Sequence, residues 1–191
     1  AGPSANRFGR VSPTTAAHVA QEFGDALAVL DGGPCRVGIE STIVDCSRGA
    51  PVLLRPGAIT RAQIEVACGE ALRTREALAA PDPRASGTLE AHYAPSAKVR
   101  LMDARALQTG LDLLGAHAAN VAVWSRTALQ CRSPGVLRRR MPDDAAAAAH
   151  QLFAVLREFD AVGVKLIWIE TPPEAPDWEG VRDRLRRAAA A

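Results

Sequence analysis

The sequence predicts an α/β protein with two sheets and a connecting segment that lacks regular structure. Two β-rich runs, residues 41–46 and 51–54, flank a Ser-Arg-Gly turn and predict a hairpin. Between residues 73 and 95, prolines and a Ser-Gly pair interrupt every hydrophobic period, which indicates a linker. After residue 95 strands and helices alternate, and this alternation predicts βαβ units around a mainly parallel sheet.

The first part of the chain carries a helix signal and a strand signal before the hairpin. Ser12 and Pro13 predict a helix N-terminus, because serine caps helices and the fixed φ of proline suits the first helical position. The apolar spacing that follows extends this helix to about residue 23. Residues 27–30 are a short apolar run that we expect to form a strand, stopped by an Asp-Gly-Gly-Pro turn.

Further signals place the remaining elements. Thr60 with Gln63 three residues later is a capping-box pattern, which predicts a helix to about Leu72. Beyond residue 95 the patterns predict strands at 98–102, 120–124 and 164–170 and helices at 104–116, 143–160 and 178–189. The predicted organisation is therefore a first domain over residues 1–75, a linker over 76–95 and a small α/β domain over 96–191.

The composition is that of an ordinary globular protein. The chain has 191 residues, of which 48% are hydrophobic and 23% charged, with a formal net charge of +2. These values exclude a disordered tail or a polybasic nucleic-acid arm, and no apolar run is long enough to span a membrane. The arginines at 138–140 and at 182, 184, 186 and 187 are interpreted as a solvated surface.

The cysteines indicate a reducing compartment. The four cysteines form no C-x-x-C pair and no zinc-like spacing with the four histidines. Unpaired thiols in a chain of this size suit the cytosol, so a cytoplasmic protein is expected. No metal site held by protein ligands is predicted.

The loop from Gly2 to Thr14 (GPSANRFGRVSPT) is the strongest candidate for a ligand site. It contains serine and asparagine side chains, glycines and arginines directly before the predicted helix. Glycine allows a backbone to approach a ligand closely, and N–H groups near a helix N-terminus favour bound anions.

Four short motifs resemble signatures of YrdC-type domains and of their longer, two-domain members, in the same order and at similar spacing. They are Ser4-Ala5-Asn6 with Gly9 and Ser12-Pro13-Thr14, Glu40 to Asp45, Leu54 to Gly57, and Ser86-Gly87 with His92 to Pro95. On these motifs the chain resembles the two-domain threonylcarbamoyl-AMP synthases, without their N-terminal part. The resemblance implies the C-terminal portion of a YrdC-like α/β domain with a mixed twisted sheet, then a linker and a small Rossmann-like domain.

The resemblance also implies a reaction. L-threonine, bicarbonate and ATP give threonylcarbamoyl-AMP and pyrophosphate, with Mg²⁺ assisting, and separate transferase machinery moves the threonylcarbamoyl group onto adenosine 37 of tRNA. Adenylation of a carbamate is a phosphoryl-group transfer. In such reactions the protein mainly positions the reactants and stabilises the charge that develops. Hydroxyl and amide groups on a rigid loop suit that task.

Family correspondence assigns roles to seven residues. Ser4 and Asn6 match the catalytic S-x-N pair, Gly2 and Ser41 the threonine site, and Ser4, Ser12, Arg55 and Tyr93 the ATP site. Four of them have a structural alternative that the sequence leaves open. Ser12 could simply cap a helix, and Ser41 could be a serine at a strand edge. Arg55 could form a surface ion pair, and Tyr93, the one tyrosine, could only anchor the linker.

The family's K-x-R pair is expected upstream of the S-x-N loop and has no replacement in this chain, so we expect the chain to be inactive alone.

An alternative is an RNA-binding YrdC-like module without catalysis. The slight excess of acidic over basic residues before Pro95 argues for weak or no nucleic-acid binding. A second alternative, the YrdC-like segment of hydrogenase-maturation carbamoyltransferases, should not continue into a linker and a small α/β domain. The second domain could be a docking or regulatory unit without chemistry of its own.

Overall fold

The structure is a computed structural model that describes residues 4–47, 49–74 and 91–191. The helices are α1 (Ala16–Phe23), α2 (Arg61–Cys68), α3 (Ala104–Leu114), α4 (Ala145–Val162) and α5 (Glu179–Ala189), with 3₁₀ turns at Gly24–Ala26 and Pro176–Trp178. The strands are β1 (Ile43–Asp45), β2 (Val52–Arg55), β3 (Arg73–Thr74), β4 (Lys98–Met102), β5 (Val121–Ser125), β6 (Leu137–Arg140) and β7 (Leu166–Glu170). These elements form a three-stranded and a four-stranded sheet.

The first sheet has the order β1-β2-β3 and is mixed. Strands β1 and β2 are antiparallel, which confirms the predicted hairpin, and β2 and β3 are parallel. The predicted capping box is present, because Thr60 Oγ1 accepts from the Gln63 backbone N–H while Gln63 Oε1 accepts from the Thr60 N–H. Helix α2 ends at Cys68, earlier than expected, because Gly69 adopts the left-handed conformation that terminates helices.

The second sheet has the order β4-β7-β5-β6 and all its pairs are parallel. Successive side chains of β5 point to opposite faces, so Val121 and Val123 pack on the side of α3. Ala122 and Trp124 join the larger core that α4 and α5 cover. The predicted α/β fold, with a mixed sheet followed by a mainly parallel one, is thereby confirmed.

The N-terminal loop and the second sheet share one hydrophobic core. Val11 and Tyr93 are buried in the same cluster as the core residues of α4 and α5, and Ile39 packs against it. The approach is close at Gly38, where an added Cβ would lie 2.4 Å from the Cα of His150 on α4. Residues 38–40 therefore lie directly against α4 and α5, the helices that cover the second sheet.

Three features of the structure differ from what the sequence predicted. Ser12 does not cap α1, since the helix begins at Ala16 and Thr15 accepts the capping hydrogen bond from the His18 backbone. Residues 27–30 form no strand and are exposed, Leu30 at 98%, because no neighbouring strand pairs with them. Strand β6 was not predicted, since its Leu-Arg-Arg-Arg sequence carries no apolar alternation.

The C-terminal arginines do not form one solvated surface. Arg182 and Arg184 are buried, at 9% and 0% exposure, and their guanidinium groups are held by carbonyl and carboxylate oxygens. None of the helices in the described ranges combines the length and hydropathy of a membrane-spanning segment.

Candidate active site

A cavity of about 610 Å³ opens between the N-terminal loop, residues 29–41 and helix α4. Its walls include Ser4, Ser12, Ser41 and Arg55, which are four of the residues predicted to bind substrates. The cavity is framed on one side by the turn before α1 and on another by the segment that precedes β1 and the end of β2. Residues that are distant in the sequence thus share one pocket.

Arg55 and Ser41 contact each other at the base of the hairpin. Arg55 Nε donates to the carbonyl oxygen of Ser41 at 3.0 Å, and its Nη2 lies 3.4 Å from the Ser41 hydroxyl. Arg55 is only 7% exposed, although it lines the cavity. The predicted ATP-binding and threonine-binding residues are therefore direct neighbours.

Ser12 contacts Glu40 instead of capping a helix. The buried Ser12 hydroxyl donates to Glu40 Oε1, and Glu40 Oε2 accepts from Arg184 Nε at 2.9 Å. Arg184 belongs to α5. This helix, which covers the second sheet, therefore contacts the cavity wall through the carboxylate of Glu40. Burial of the Arg184–Glu40 pair is tolerable because the charges are opposite and both are hydrogen-bonded.

The S-x-N segment is organised by the asparagine. Ser4 lines the cavity, and its hydroxyl donates to Asn6 Oδ1. Asn6 is not among the cavity-lining residues; its Nδ2 donates to the carbonyls of Arg7 at 2.9 Å and Arg10 at 3.2 Å. The structure therefore places Ser4 at the cavity and Asn6 behind it, holding the turn that presents Ser4.

Arg157 on α4 fixes the neighbouring backbone. Its Nη2 donates to the carbonyl of Val11, and its Nε donates to the carbonyl of Ser12 at 3.2 Å. Phe153, one turn earlier on α4, forms part of the cavity wall. The helix thus supplies both an apolar wall and a support for the loop that carries Ser12.

Tyr93 does not line the cavity. It is 1% exposed, its ring lies 5.3 Å from that of Phe153, and its hydroxyl has no hydrogen-bond partner among the described residues. Burial raises the pKa of this phenol, and the Arg184 charge opposes that rise. Tyr93 therefore packs against Phe153 and is not among the cavity-lining residues.

His92 precedes this tyrosine and is half-buried. Burial lowers the pKa of His92, and the nearby Arg187, Arg55 and Arg184 charges act in the same direction while Glu40 opposes them. The His92 backbone N–H donates to the carbonyl of Arg187 at 3.2 Å, which joins this segment to α5. Gly2, predicted to contact threonine, lies outside the described residues, as does most of the predicted linker.

Two residues of the site were missed in the sequence. Glu40 directly precedes Ser41 in its motif, but no role was inferred for it. Arg184 lies in the buried stripe of α5 with Val181, Leu185 and Ala188, and this i, i+3, i+4, i+7 spacing was the available signal. An arginine in an apolar stripe indicates a buried ion pair, since the charge must be compensated there.

The cavity has mixed charge. Its charged lining residues are Asp31, Glu40 and Arg55. Within the part of the chain that the structure describes, no cluster of three or more His, Cys, Asp or Glu side chains could hold a metal ion. Serine hydroxyls with one guanidinium can bind a small polar ligand that carries an anionic group.

The fold and this cavity define an α/β protein with a small-molecule site at the junction of a mixed and a parallel sheet. Residues 59–190 match the family model described as threonylcarbamoyl-AMP synthase, C-terminal domain. Residues 1–57 match a second model, described as telomere recombination. The chain belongs to the threonylcarbamoyl-AMP synthase family.

Curated relatives and solved structures agree with this assignment. The chain is 34% identical to the threonylcarbamoyl-AMP synthase of Pyrococcus abyssi over 99% of this chain and 57% of that protein. It is 33% identical to that of Bacillus subtilis strain 168, over 99% and 56% respectively. The structure superposes on P. abyssi Sua5 complexed with L-threonine with a TM-score of 0.84 and 32% identity, covering 98% of this chain and 56% of that one. The chain thus spans about half the length of the relatives it matches.

Proposed function

We propose that this chain is part of an enzyme that forms threonylcarbamoyl-AMP and pyrophosphate from L-threonine, bicarbonate and ATP. The cavity at which Ser4, Ser12, Ser41 and Arg55 converge is the observation that carries the proposal. Relatives named for this activity, and the threonine complex of P. abyssi Sua5, support it. The product would be consumed by a transferase that acts on tRNA.

The geometry suggests a division of labour within the cavity. Arg55 would bind phosphate oxygens, because a guanidinium presents paired N–H donors in one plane. Ser41, in contact with Arg55, would bind threonine next to the phosphate that its carbamate attacks. Ser4, oriented by Asn6, would donate to the reacting groups, and Ser12 would contact ATP beside Glu40.

Tyr93 is proposed to contact ATP on family correspondence, not on its position in the structure. Its ring is buried against Phe153 and does not contribute to the cavity lining. A solved variant of P. abyssi Sua5, in which a histidine and the tyrosine after it are both alanine, covers 98% of this chain with a TM-score of 0.84. This chain has a single His-Tyr pair, His92–Tyr93, because it has one tyrosine.

The described residues do not fit a dedicated magnesium site. Glu40 is already engaged by Ser12 and Arg184, and Asp31 Oδ1 accepts from the Gly33 backbone at 2.8 Å. Mg²⁺ usually binds through one or two carboxylates, water and substrate phosphates. We therefore propose that Mg²⁺ enters with ATP as part of the substrate.

The cavity charges argue against RNA as its ligand. Arg55 shares the cavity lining with the carboxylates of Asp31 and Glu40, whereas nucleic-acid affinity depends on several cations that neutralise phosphates. The free cysteines, three of them exposed, are consistent with a cytoplasmic protein.

A pyrophosphate-release assay with labelled ATP tests the proposal. A longer protein, in which this chain is extended at its N-terminus to the length of its relatives, should release pyrophosphate only when both threonine and bicarbonate are present. Ser4→Ala should reduce this release at least tenfold, whereas Ser47→Ala, on the exposed hairpin turn, should not. The 191-residue chain alone is expected to show no turnover. Pyrophosphate release that is independent of threonine would refute the proposed reaction.

A further inference from the structure

Arg184 contacts the segments on both sides of the Arg55–Ser41 pair. Its Nη2 donates to the carbonyl of Glu40 at 3.1 Å, one residue before Ser41. Its Nη1 donates to the carbonyl of Pro56, one residue after Arg55. One guanidinium therefore joins the start of the hairpin to its end, directly beside the two predicted substrate-binding residues.

The same guanidinium reaches the N-terminal loop through Glu40. Arg184 Nε donates to Glu40 Oε2 at 2.9 Å, and Glu40 Oε1 accepts from the Ser12 hydroxyl. Because Glu40 is held by Arg184 on one oxygen, its other oxygen is fixed toward Ser12. Three separate segments of the cavity wall thus depend on one side chain from α5.

The surroundings of Arg184 restrict it to this arrangement. The side chain is 0% exposed; Asp183 Oδ2 accepts from Nη1 at 2.9 Å, and the guanidinium carbon lies 5.4 Å from the centre of the Tyr93 ring. A buried guanidinium with its donors engaged loses little further entropy, so it holds its partners rigidly. Lysine has one nitrogen on a flexible chain and cannot reach the Glu40 and Pro56 oxygens together in the same plane.

We propose that Arg184 is a positioning residue of the ATP and threonine site, which acts by holding Glu40 and Pro56 in the geometry that Ser12, Ser41 and Arg55 require. This inference rests on the proposed function, and it assigns to α5 a part in the site. It predicts that loss of Arg184 weakens substrate binding without any contact between Arg184 and substrate.

The test compares Arg184→Lys and Arg184→Gln with Arg186→Lys and Arg186→Gln in the 191-residue chain. Arg186 is a matched control, because it lies on the same helix, is 65% exposed and pairs with Glu174 at 3.7 Å. Amide hydrogen exchange without ligand should accelerate at least tenfold in peptides covering 38–44 and 52–59 of the Arg184 variants, and remain unchanged in β5. The Arg186 variants should match the parent chain. Two results would overturn the proposal: faster exchange throughout the protein, or no acceleration of exchange in the peptides near the cavity.

Substrate binding supplies a second readout. With ATP as the probe in calorimetry on the longer protein, Arg184→Lys should raise the Kd about tenfold at a temperature well below unfolding. Its kcat/KM should fall mainly through KM, since chemistry at bound substrate is less affected. Glu40→Gln should produce a similar loss, and the double variant Glu40→Gln/Arg184→Gln should lose less than the sum, because the two residues act as one unit. Strictly additive losses would refute a route through Glu40.

The two proposals fail in different ways. If the parent protein binds neither ATP nor threonine, the proposed function is wrong, and the exchange measurement still decides whether Arg184 holds the cavity wall. If the parent binds ATP and the Arg184 variants, folded, bind it equally well, the positioning role is wrong and the proposed function stands. Should Arg184→Gln fail to fold, Arg184→Lys retains the charge and decides the question.

Discussion

Arg55 and Ser41 are joined twice, through the Ser41 carbonyl at 3.0 Å from Arg55 Nε and through the Ser41 hydroxyl at 3.4 Å from Arg55 Nη2. The arginine ends β2, and the serine precedes β1 by two residues. This contact places the proposed phosphate-binding group next to the proposed threonine-binding hydroxyl. The contact therefore links the two proposed substrate-binding positions before any ligand is bound.

Replacing Arg55 by alanine should weaken ATP binding strongly. Loss of a guanidinium from a phosphate site removes charge-assisted hydrogen bonds, so we expect at least a tenfold increase in the KM for ATP or an equivalent loss of kcat. Steady-state pyrophosphate release by the longer protein measures both the KM for ATP and kcat. Arg138→Ala, on the exposed strand β6, is the control. Near-normal kinetics of Arg55→Ala would remove this residue from the site.

Ser41→Ala should affect threonine more than ATP. The substitution removes the hydroxyl but keeps the carbonyl that accepts from Arg55 Nε, so the free energy of unfolding should fall by only about 1 kcal/mol. The Kd for L-threonine, measured by calorimetry, should rise severalfold. Unchanged threonine affinity together with a large loss of ATP affinity would contradict the proposed roles.

Gly57→Ala should destabilise the protein. An added Cβ would lie 2.5 Å from the Thr42 backbone nitrogen and 2.8 Å from the Glu40 carbonyl oxygen, both of which are main-chain atoms that cannot move independently. Overpacking of this kind costs about 1–3 kcal/mol. Chemical denaturation measures the change. Gly32→Ala, where nothing lies within 4 Å, should change stability by less than about 0.5 kcal/mol, and equal effects at both positions would be inconsistent with the packing described.

His92→Asn should flatten the pH dependence of stability. Burial lowers the pKa of His92, so the unfolded chain takes up the proton more readily than the folded one. The free energy of unfolding of the parent should therefore decrease as the pH falls below the ordinary histidine value of 6.5, until the folded pKa is passed. Thermal unfolding between pH 7 and 5 should show a smaller fall in Tm for His92→Asn than for the parent, while exposed His117→Asn should follow the parent. Identical slopes for all three would show that His92 is not the group responsible.

Tyr93→Phe separates packing from ligand binding. The hydroxyl is buried without a partner among the described residues, so its removal should leave the free energy of unfolding unchanged or raise it by up to about 1 kcal/mol. The proposed ATP contact predicts, in the longer protein, a severalfold increase in the Kd for ATP. A variant with normal ATP affinity would limit Tyr93 to packing against Phe153.

The local elements were predictable because their signals lie within a few residues. The capping box of Thr60 and Gln63, the hairpin and strand β4 need only short-range patterns and appear as expected. The sequence predictions were wrong where contacts with residues distant in the sequence determine the local structure. Ser12 carries the usual signal of a helix cap, yet its hydroxyl is taken by Glu40, 28 residues away. The apolar run at residues 27–30 has strand composition but no strand beside it.

The motifs in this chain were sufficient to identify its family and α/β class, because chemically required residue types recur at fixed spacing. The convergence of Ser4, Ser12, Ser41 and Arg55 on one cavity was decided by tertiary structure, and so was the burial of Arg184. From the sequence alone an arginine is expected at the surface, since burying an unpaired charge is costly. Only the fold brings Glu40, Asp183 and the Pro56 carbonyl together to compensate it.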